Sequence, residues 1–208
     1  VLDAIEQLGY RPSGIARSLA TRHTGTLGLV VPDVANPFFA DVAGGAEREA
    51  RAEGYYVFLC STTEDPEREL EVLQSLEEKR VDGIVLCSSR LDEATLRAQL
   101  RRHRAVVLVN RPLQEDNIGT VLIDDKAGGR LVTEHLLATG HRAIGFLAGP
   151  AASFSGRQRI EGYRAALAAA GLQENLAWLR HCPPTVDGGR EIARALLAEH
   201  PELNALLC

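Results

Sequence analysis

The sequence predicts an α/β protein with two doubly wound parallel sheets that follow one another along the chain. Short apolar runs recur at intervals beyond residue 26, and segments with helical periodicity separate them. The runs are continuous, as in strands that are buried on both faces, and strands that alternate with helices form parallel sheets. The predicted strands are residues 27–31, 56–60, 83–87, 105–109, 120–123, 143–148 and 203–208.

Capping residues support the helices between these runs. Asp65 is a favourable N-cap, Pro66 follows at the first helical position, and three leucines at positions 70, 73 and 76 recur on one face. Two further helices each end at a glycine, as helices commonly do. Their predicted inner faces are Leu131, His135 and Leu136 before Gly140, and Ile160, Tyr163 and Leu167 before Gly171.

The alternating series is long enough for two sheets, and we expect the change between them near residues 122–126. The predicted lobes are residues 24–122 and 123–208, and residues 1–23 precede them as an arm. Open α/β sheets bind ligands beyond the carboxyl ends of their strands. Small polar residues there favour a neutral or weakly charged ligand: Asp33, Ser61, Ser88, Ser89, Asn110, Asp124 and Asp125, beside Gly149 and Pro150.

Composition places the chain among ordinary globular proteins, since 45% of its 208 residues are hydrophobic and 25% are charged. No apolar run reaches the ~18 residues of a membrane span. The first twenty residues carry charges that a secretory signal lacks, so we predict a cytoplasmic protein without membrane contact. The widely spaced cysteines are predicted to be reduced thiols in the core: Cys60, Cys87, Cys182 and Cys208.

The charge distribution singles out the arm. A net charge of −5 argues against nucleic-acid binding by bulk electrostatics. Residues 7–32 nevertheless contain Arg11, Arg17 and Arg22 and no acidic residue. Both ends of the chain also look interrupted, because residue 1 falls within an apolar helical pattern and residues 206–208 resemble an unfinished strand.

Common nucleotide-binding and catalytic motifs are missing from the sequence. It contains no G-x-G-x-x-G after the first strand, no G-x-x-x-x-G-K-[ST] and no G-x-S-x-G. His135 and His141 are six residues apart, which is not the spacing of a metal-binding pair on one helix face. We therefore predict no catalytic residue, no cofactor and no metal site.

Two clusters are candidates for contact with a ligand. In the first, Asn36 can cap a helix that begins at Pro37, with Phe38 and Phe39 beside the free N–H groups. One ring is expected in the core and the other against the ligand. In the second, two arginines begin a helix although a cation there opposes the helix dipole. We expect Arg159 to face the cleft as a planar donor, while Arg157 is as readily a solvated side chain.

The sequence of the arm predicts a short helix within residues 9–20. Ser13 can cap it, and Ile15 and Leu19 share one face. A helix of about two turns is marginal alone in water, so it needs a partner. If the partner is DNA, Leu19 suits insertion into the minor groove, and Arg17 and Arg22 suit phosphate contacts. An ordinary linker is the alternative.

Seven motifs occur in the order LGYRP (8–12), ARSLA (16–20), TGTLGLVVP (24–32), NPFF (36–39), VDGI (81–84), GHR (140–142) and RIEGY (159–163). In order and spacing they closely resemble the LacI/GalR family of bacterial transcriptional regulators. The resemblance runs along the whole chain. Residues 1–8 resemble the end of the third helix of the family's helix-turn-helix domain, whose two earlier helices are missing.

The resemblance implies a sensor like a type I periplasmic binding protein, preceded by a hinge helix, with an effector between its lobes. It implies a homodimer whose hinge helices insert leucines into the minor groove of operator DNA. By motif position the inserted leucine is Leu19, and the predicted DNA-binding residues are Arg17, Ser18, Leu19 and Arg22. The implied effector-binding residues are Phe38, Phe39, Asn110, Arg111, Ser153, Ser155 and Arg159.

The sequence leaves alternatives for function. An effector-controlled repressor accounts for the arm, whereas a solute-binding protein of a transporter shares the architecture but has no need of it. An enzyme would require a nucleophile with its base, or a phosphate loop, and neither is evident. Aromatic rings, hydroxyls, one amide and one arginine favour a sugar or sugar derivative as the effector, and a purine is the alternative.

Overall fold

The computed structural model describes Thr21 and residues 23–208. The predicted hinge helix lies outside these residues, as do Arg17, Ser18, Leu19 and Arg22. The elements of the described part are β1 (Thr26–Val31), α1 (Pro37–Ala52), β2 (Tyr56–Ser61), α2 (Pro66–Glu78), β3 (Gly83–Cys87), α3 (Glu93–Leu100), β4 (Val106–Val109), β5 (Ile118–Val121), α4 (Asp125–Ala138), β6 (Ile144–Ala148), α5 (Phe154–Ala169), a 3-10 turn (Leu176–Trp178), β7 (Leu179–His181), α6 (Val186–Glu199) and β8 (Ala205–Leu207).

The strands form two sheets, which confirms the predicted fold class. The first has the order β2-β1-β3-β4-β5 and the second the order β7-β6-β8. Every neighbouring pair of strands is parallel. The predicted boundary at residues 122–123 falls in the connection between β5 and α4. No helix among the described residues is long and apolar enough to cross a membrane.

Helices cover both faces of the first sheet because side chains alternate along its buried strands. On β1, Leu29 and Val31 pack with Phe39 of α1 on one face. Val30 packs on the opposite face, in a cluster with Leu73 of α2 and with leucines of α3. Each such side chain contributes about 1.5–3 kcal/mol of burial free energy. The first lobe is therefore a three-layer sandwich in which helices cover both faces of the sheet.

The second sheet is covered in the same way. Ile144 and Phe146 of β6 pack against Tyr163 of α5, whereas Leu147 packs on the other face with Leu196 of α6. The hydroxyl of Tyr163 donates a hydrogen bond of 2.8 Å to the carbonyl oxygen of Ile144. Burial raises the pKa of Tyr163 to about 12, so this phenol stays neutral in the core.

The caps and inner faces predicted for α2 and α5 are confirmed. The carboxylate of Asp65 accepts a hydrogen bond of 2.9 Å from the backbone N–H of Glu67, and Pro66 is the first residue of α2. The inner face of α5 is buried at Ile160, Tyr163 and Leu167, and Gly171 follows the helix with a φ of 71°.

The predicted inner face of α4 is correct at Leu136, which packs against the core of the second lobe, and wrong at the other two residues. Leu131 is 58% exposed and His135 is also exposed. Gly129 and Thr133 are buried instead, and the hydroxyl of Thr133 donates to the carbonyl oxygen of Gly129 at 2.7 Å. The inward side of α4 therefore combines small residues with Leu136 and Leu137, which are partly buried against the core.

The reason is the close contact between α4 and α5. A Cβ atom at Gly129 would overlap with the carbonyl oxygen and Cα of Arg159. A Cβ atom at Gly162 would overlap with the carbonyl oxygen of Lys126. The two helices therefore meet backbone to backbone, and only glycine fits at either point.

Strand β7 was not predicted, and β5 begins two residues before its predicted start. Leu179–His181 is a three-residue edge strand with a central arginine. Its sequence therefore lacks the apolar run typical of buried strands. The four cysteines are free, but the predicted core position is confirmed only for Cys87 and is wrong for Cys208, which is exposed.

Candidate functional site

A cavity of about 420 Å³ lies between the two sheets. Ser88, Asn110 and Gly149 directly follow β3, β4 and β6, so the cavity sits at the carboxyl ends of these strands, as predicted. The lining residues are Asn36, Phe38, Phe39, Glu64, Ser88, Arg90, Asn110, Ile123, Asp125, Gly149, Pro150, Ser153, Ser155, Gly156, Arg159 and Pro184.

The start of α1 brings two aromatic rings to the cavity. The side-chain oxygen of Asn36 accepts a hydrogen bond of 3.1 Å from the N–H of Phe38, which fixes the first turn. Phe39 is only 7% exposed and belongs to the core, whereas Phe38 is 40% exposed. The two rings meet edge to face with centroids 5.0 Å apart. Phe38 therefore offers the free ring surface.

Two buried polar atoms at the cavity have no hydrogen-bond partner among the described residues. They are the side-chain carbonyl oxygen of Asn110 and the hydroxyl oxygen of Ser155. Leaving such a group unpaired costs about 1–3 kcal/mol. Ser153 differs, because its hydroxyl caps α5 by accepting from the N–H of Gly156 at 3.1 Å. A ligand that carries hydroxyl groups would satisfy Asn110 and Ser155 together.

Arg159 lies on the cavity wall, as predicted. Its Nε donates a hydrogen bond of 3.0 Å to a carboxylate oxygen of Asp125, the first residue of α4. The Arg159 side chain is 47% exposed and that of Asp125 is 11% exposed. Arg157 is not a lining residue and donates instead to the carbonyl oxygens of Ala151 and Ala152.

Arg111 is the one predicted effector-binding residue that does not line the cavity. Its guanidinium donates a hydrogen bond of 3.0 Å to the carbonyl oxygen of Leu91, in the loop after β3. The other six predicted residues all contribute to the lining. Arg111 therefore binds the loop after β3 and does not line the cavity.

The sequence interpretation missed an ion pair on the wall formed by the first lobe. Arg90 contacts the carboxylate of Glu64 through Nε and donates to the carbonyl oxygen of Ser88 at 2.7 Å. The side chains of Arg90 and Glu64 are 7% and 20% exposed. An arginine shortly after a buried strand was the only signal in the sequence, because the partner is 26 residues away.

A buried carboxylate holds the loop that carries Arg90. Glu69 of α2 is 2% exposed and accepts hydrogen bonds from the hydroxyl of Ser89 and from the backbone N–H of Arg90. Burial raises the pKa of Glu69 above its ordinary value, and the two hydrogen bonds oppose that rise. The position of Arg90 is thus fixed through its backbone as well as its side chain.

Three lining residues adopt a left-handed backbone conformation. The φ angles are 62° at Glu64, 49° at Ser88 and 55° at Asn110. Such conformations cost about 1–3 kcal/mol and cluster at ligand sites. No group of three or more histidine, cysteine, aspartate or glutamate side chains in the described part of the chain could hold a metal ion.

Comparison with known proteins agrees with this geometry. Residues 24–208 match the family described as periplasmic binding proteins and sugar binding domain of LacI family. The chain belongs to the LacI family.

Two repressors and one solved structure are among the proteins similar to this LacI-family chain. The ribose operon repressor of Halalkalibacterium halodurans is 36% identical over 206 residues, which are 99% of this chain and 60% of that protein. The repressor PurR of Aliivibrio salmonicida is 34% identical over 210 residues, which cover 100% of this chain and 63% of that protein. The transcriptional regulator CelR in complex with cellobiose superposes with a TM-score of 0.77 at 30% identity. The superposition covers 98% of this chain and 62% of that chain. The chain thus spans about three fifths of the length of these relatives.

Proposed function

We propose that this LacI-family chain is the sensor part of a transcriptional repressor that an effector controls. The small molecule binds in the cavity between the lobes and changes the affinity of the whole protein for operator DNA. The observation that carries this proposal is the pair of unpartnered buried polar atoms, on Asn110 and Ser155, in a cavity shared by both lobes. A ligand that contacts both lobes favours one arrangement of them, and this shifts the equilibrium.

A sugar or sugar derivative fits the cavity best. The free face of Phe38 suits stacking against a sugar ring, and the groups on Asn110 and Ser155 suit hydroxyl partners. The similarity to a ribose operon repressor and to a cellobiose complex supports this class. A purine is the second candidate because of the similarity to PurR.

A catalytic role is not proposed. Among the lining residues that the structure describes, neither Ser153 nor Ser155 has a histidine partner that could act as a base. The relatives named above support regulation instead.

A homodimer is part of the proposal. The edge strand β2 exposes Tyr56, Phe58 and Leu59 by 78%, 45% and 47%. Exposed apolar patches on sheet edges commonly mark interfaces, and the family resemblance supports a second copy as the partner.

A thermal-shift screen of neutral sugars, sugar derivatives and nucleobases against the full-length protein tests the effector site. A ligand present at 100 times its Kd should stabilise the protein by about 2.7 kcal/mol. Asn110→Ala should remove the shift, and the control Asn117→Ala should keep it, because Asn117 is exposed and outside the cavity lining. A shift that survives Asn110→Ala would place the ligand elsewhere. The absence of any shift would contradict the proposed ligand classes.

Replacing Leu19 with alanine tests the DNA-binding part of the proposal. This residue lies outside the described ones, and its role rests on the family resemblance. We expect operator affinity to fall by at least about tenfold, because the minor-groove contact loses its apolar side chain. Effector affinity should not change. Fluorescence anisotropy with operator DNA measures the first quantity, and Leu197→Ala on α6 is the control. Equal operator affinity for Leu19→Ala and the parent would exclude this role for Leu19.

A further inference from the structure

The charged side chains on the cavity wall form two opposed pairs. In the described part of the chain, four charged residues line the cavity. Arg90 is paired with Glu64 in the first lobe, and Arg159 is paired with Asp125 in the second lobe. The wall therefore carries two arginines, the side chain best suited to bind phosphate or carboxylate, yet its formal charge is balanced.

The pair in the first lobe is fixed by its surroundings. The side chain of Arg90 is buried and that of Glu64 is partly buried, so removing Glu64 would leave an uncompensated buried charge on Arg90. Consecutive left-handed residues, Thr63 with a φ of 53° and Glu64 with a φ of 62°, direct the Glu64 side chain to the wall. The carboxylate of Glu69 accepts a hydrogen bond from the backbone N–H of Arg90 and so fixes the Arg90 backbone. An unfavourable loop conformation is thus maintained where it supplies a negative charge to the cavity.

We propose that Glu64 and Asp125 are specificity-determining residues that exclude anionic effectors from this site. Each carboxylate accepts from the Nε of its arginine and neutralises the positive charge that would attract a phosphate or carboxylate ligand, and it repels an approaching anion. The arginines retain donors for hydroxyl oxygens. The site therefore selects a neutral polyhydroxylated ligand over its phosphate ester. This inference rests on the proposed function, in which the cavity is the effector site.

Titration calorimetry of the full-length protein with inorganic phosphate tests this inference. The parent is expected to show no binding beyond that of Glu67→Gln. Glu67 is exposed at the start of α2 and is outside the cavity lining, so this variant changes the net charge by the same amount. Glu64→Gln should bind phosphate at least about tenfold more tightly than the control, since the amide still accepts from Arg90 but no longer neutralises it.

Asp125→Asn provides a second variant, because Glu64→Gln leaves a buried charge and could unfold the protein. Arg159 is 47% exposed, so solvent screens its unpaired charge and the variant should fold. A thermal melt establishes folding for each variant. The same gain in phosphate affinity is expected here. In both variants, the affinity for D-ribose 5-phosphate should rise relative to the affinity for D-ribose.

The outcomes separate this inference from the proposed function. Phosphate affinity in the parent equal to that of both variants would overturn it, and so would folded variants that bind no better than Glu67→Gln. If the variants gain phosphate binding while the parent binds none of the neutral sugars, the exclusion of anions by Glu64 and Asp125 is supported. The proposed sugar effector is then contradicted.

Discussion

Replacing Arg159 with alanine is expected to abolish the response of the full-length protein to its effector while operator binding persists. The guanidinium lies on the cavity wall, half exposed, and Asp125 is its one hydrogen-bond partner among the residues that the structure describes. A hydrogen bond from a charged donor contributes about 1.5–3 kcal/mol. Effector affinity should therefore fall by about 10- to 150-fold.

Arg164→Ala is the matched control for this experiment. Arg164 lies on the same helix, is 49% exposed and pairs with Glu174 at 2.7 Å, but it does not line the cavity. Its replacement should leave effector affinity unchanged. Effector titration by calorimetry and operator binding by anisotropy measure the two properties separately. An unchanged effector titration for Arg159→Ala would remove Arg159 from the site.

Gly129→Ala is expected to destabilise the protein by at least about 1–3 kcal/mol, the usual range for overpacking a closely packed contact. The added methyl group would overlap with backbone atoms of Arg159, which cannot move as a flexible side chain would. The helices must separate, and Arg159 must shift with α5. Weaker effector binding should therefore accompany the loss of stability.

Gly128→Ala should have the opposite effect on stability. Gly128 is the preceding residue of the same helix, and a Cβ atom there meets no atom within 4 Å. Alanine is favoured over glycine within helices by up to about 1 kcal/mol. Urea unfolding of the two variants provides the comparison. If both changes shift the midpoint in the same direction, the helices are not in backbone contact at Gly129.

The sequence predicted β1, β3 and β6 well, because these strands are largely buried on both faces and are therefore apolar along most of their length. It failed where packing rather than hydrophobicity decides the arrangement. Leu131 has the spacing of an inner-face residue, yet the approach of α5 to Gly129 turns that leucine outward. Arg180 interrupts β7, so this edge strand has no apolar signature.

The candidate site was predictable where it depends on strand ends and helix starts. Asn110 follows a strand and Asn36 caps a helix, and both positions are evident from local sequence. The cap at Ser153 was not predicted, because α5 begins at Phe154 and not at the arginines. Glu64 and Arg90 were missed because their meeting depends on a loop conformation that ordinary propensities disfavour. The orientation of Arg111 toward Leu91 is likewise set by tertiary contacts.

The left-handed residues at Glu64, Ser88 and Asn110 have a consequence for engineering this protein as a biosensor. Glycine at position 64 would leave the buried guanidinium of Arg90 unpaired. At Ser88 and Asn110, however, glycine adopts such φ angles without steric cost and would relieve local backbone strain. Selection for heat resistance alone would favour these changes and would delete side chains from the cavity wall. A library built for robustness should therefore keep all three positions constant and seek its gains elsewhere, as at Gly128.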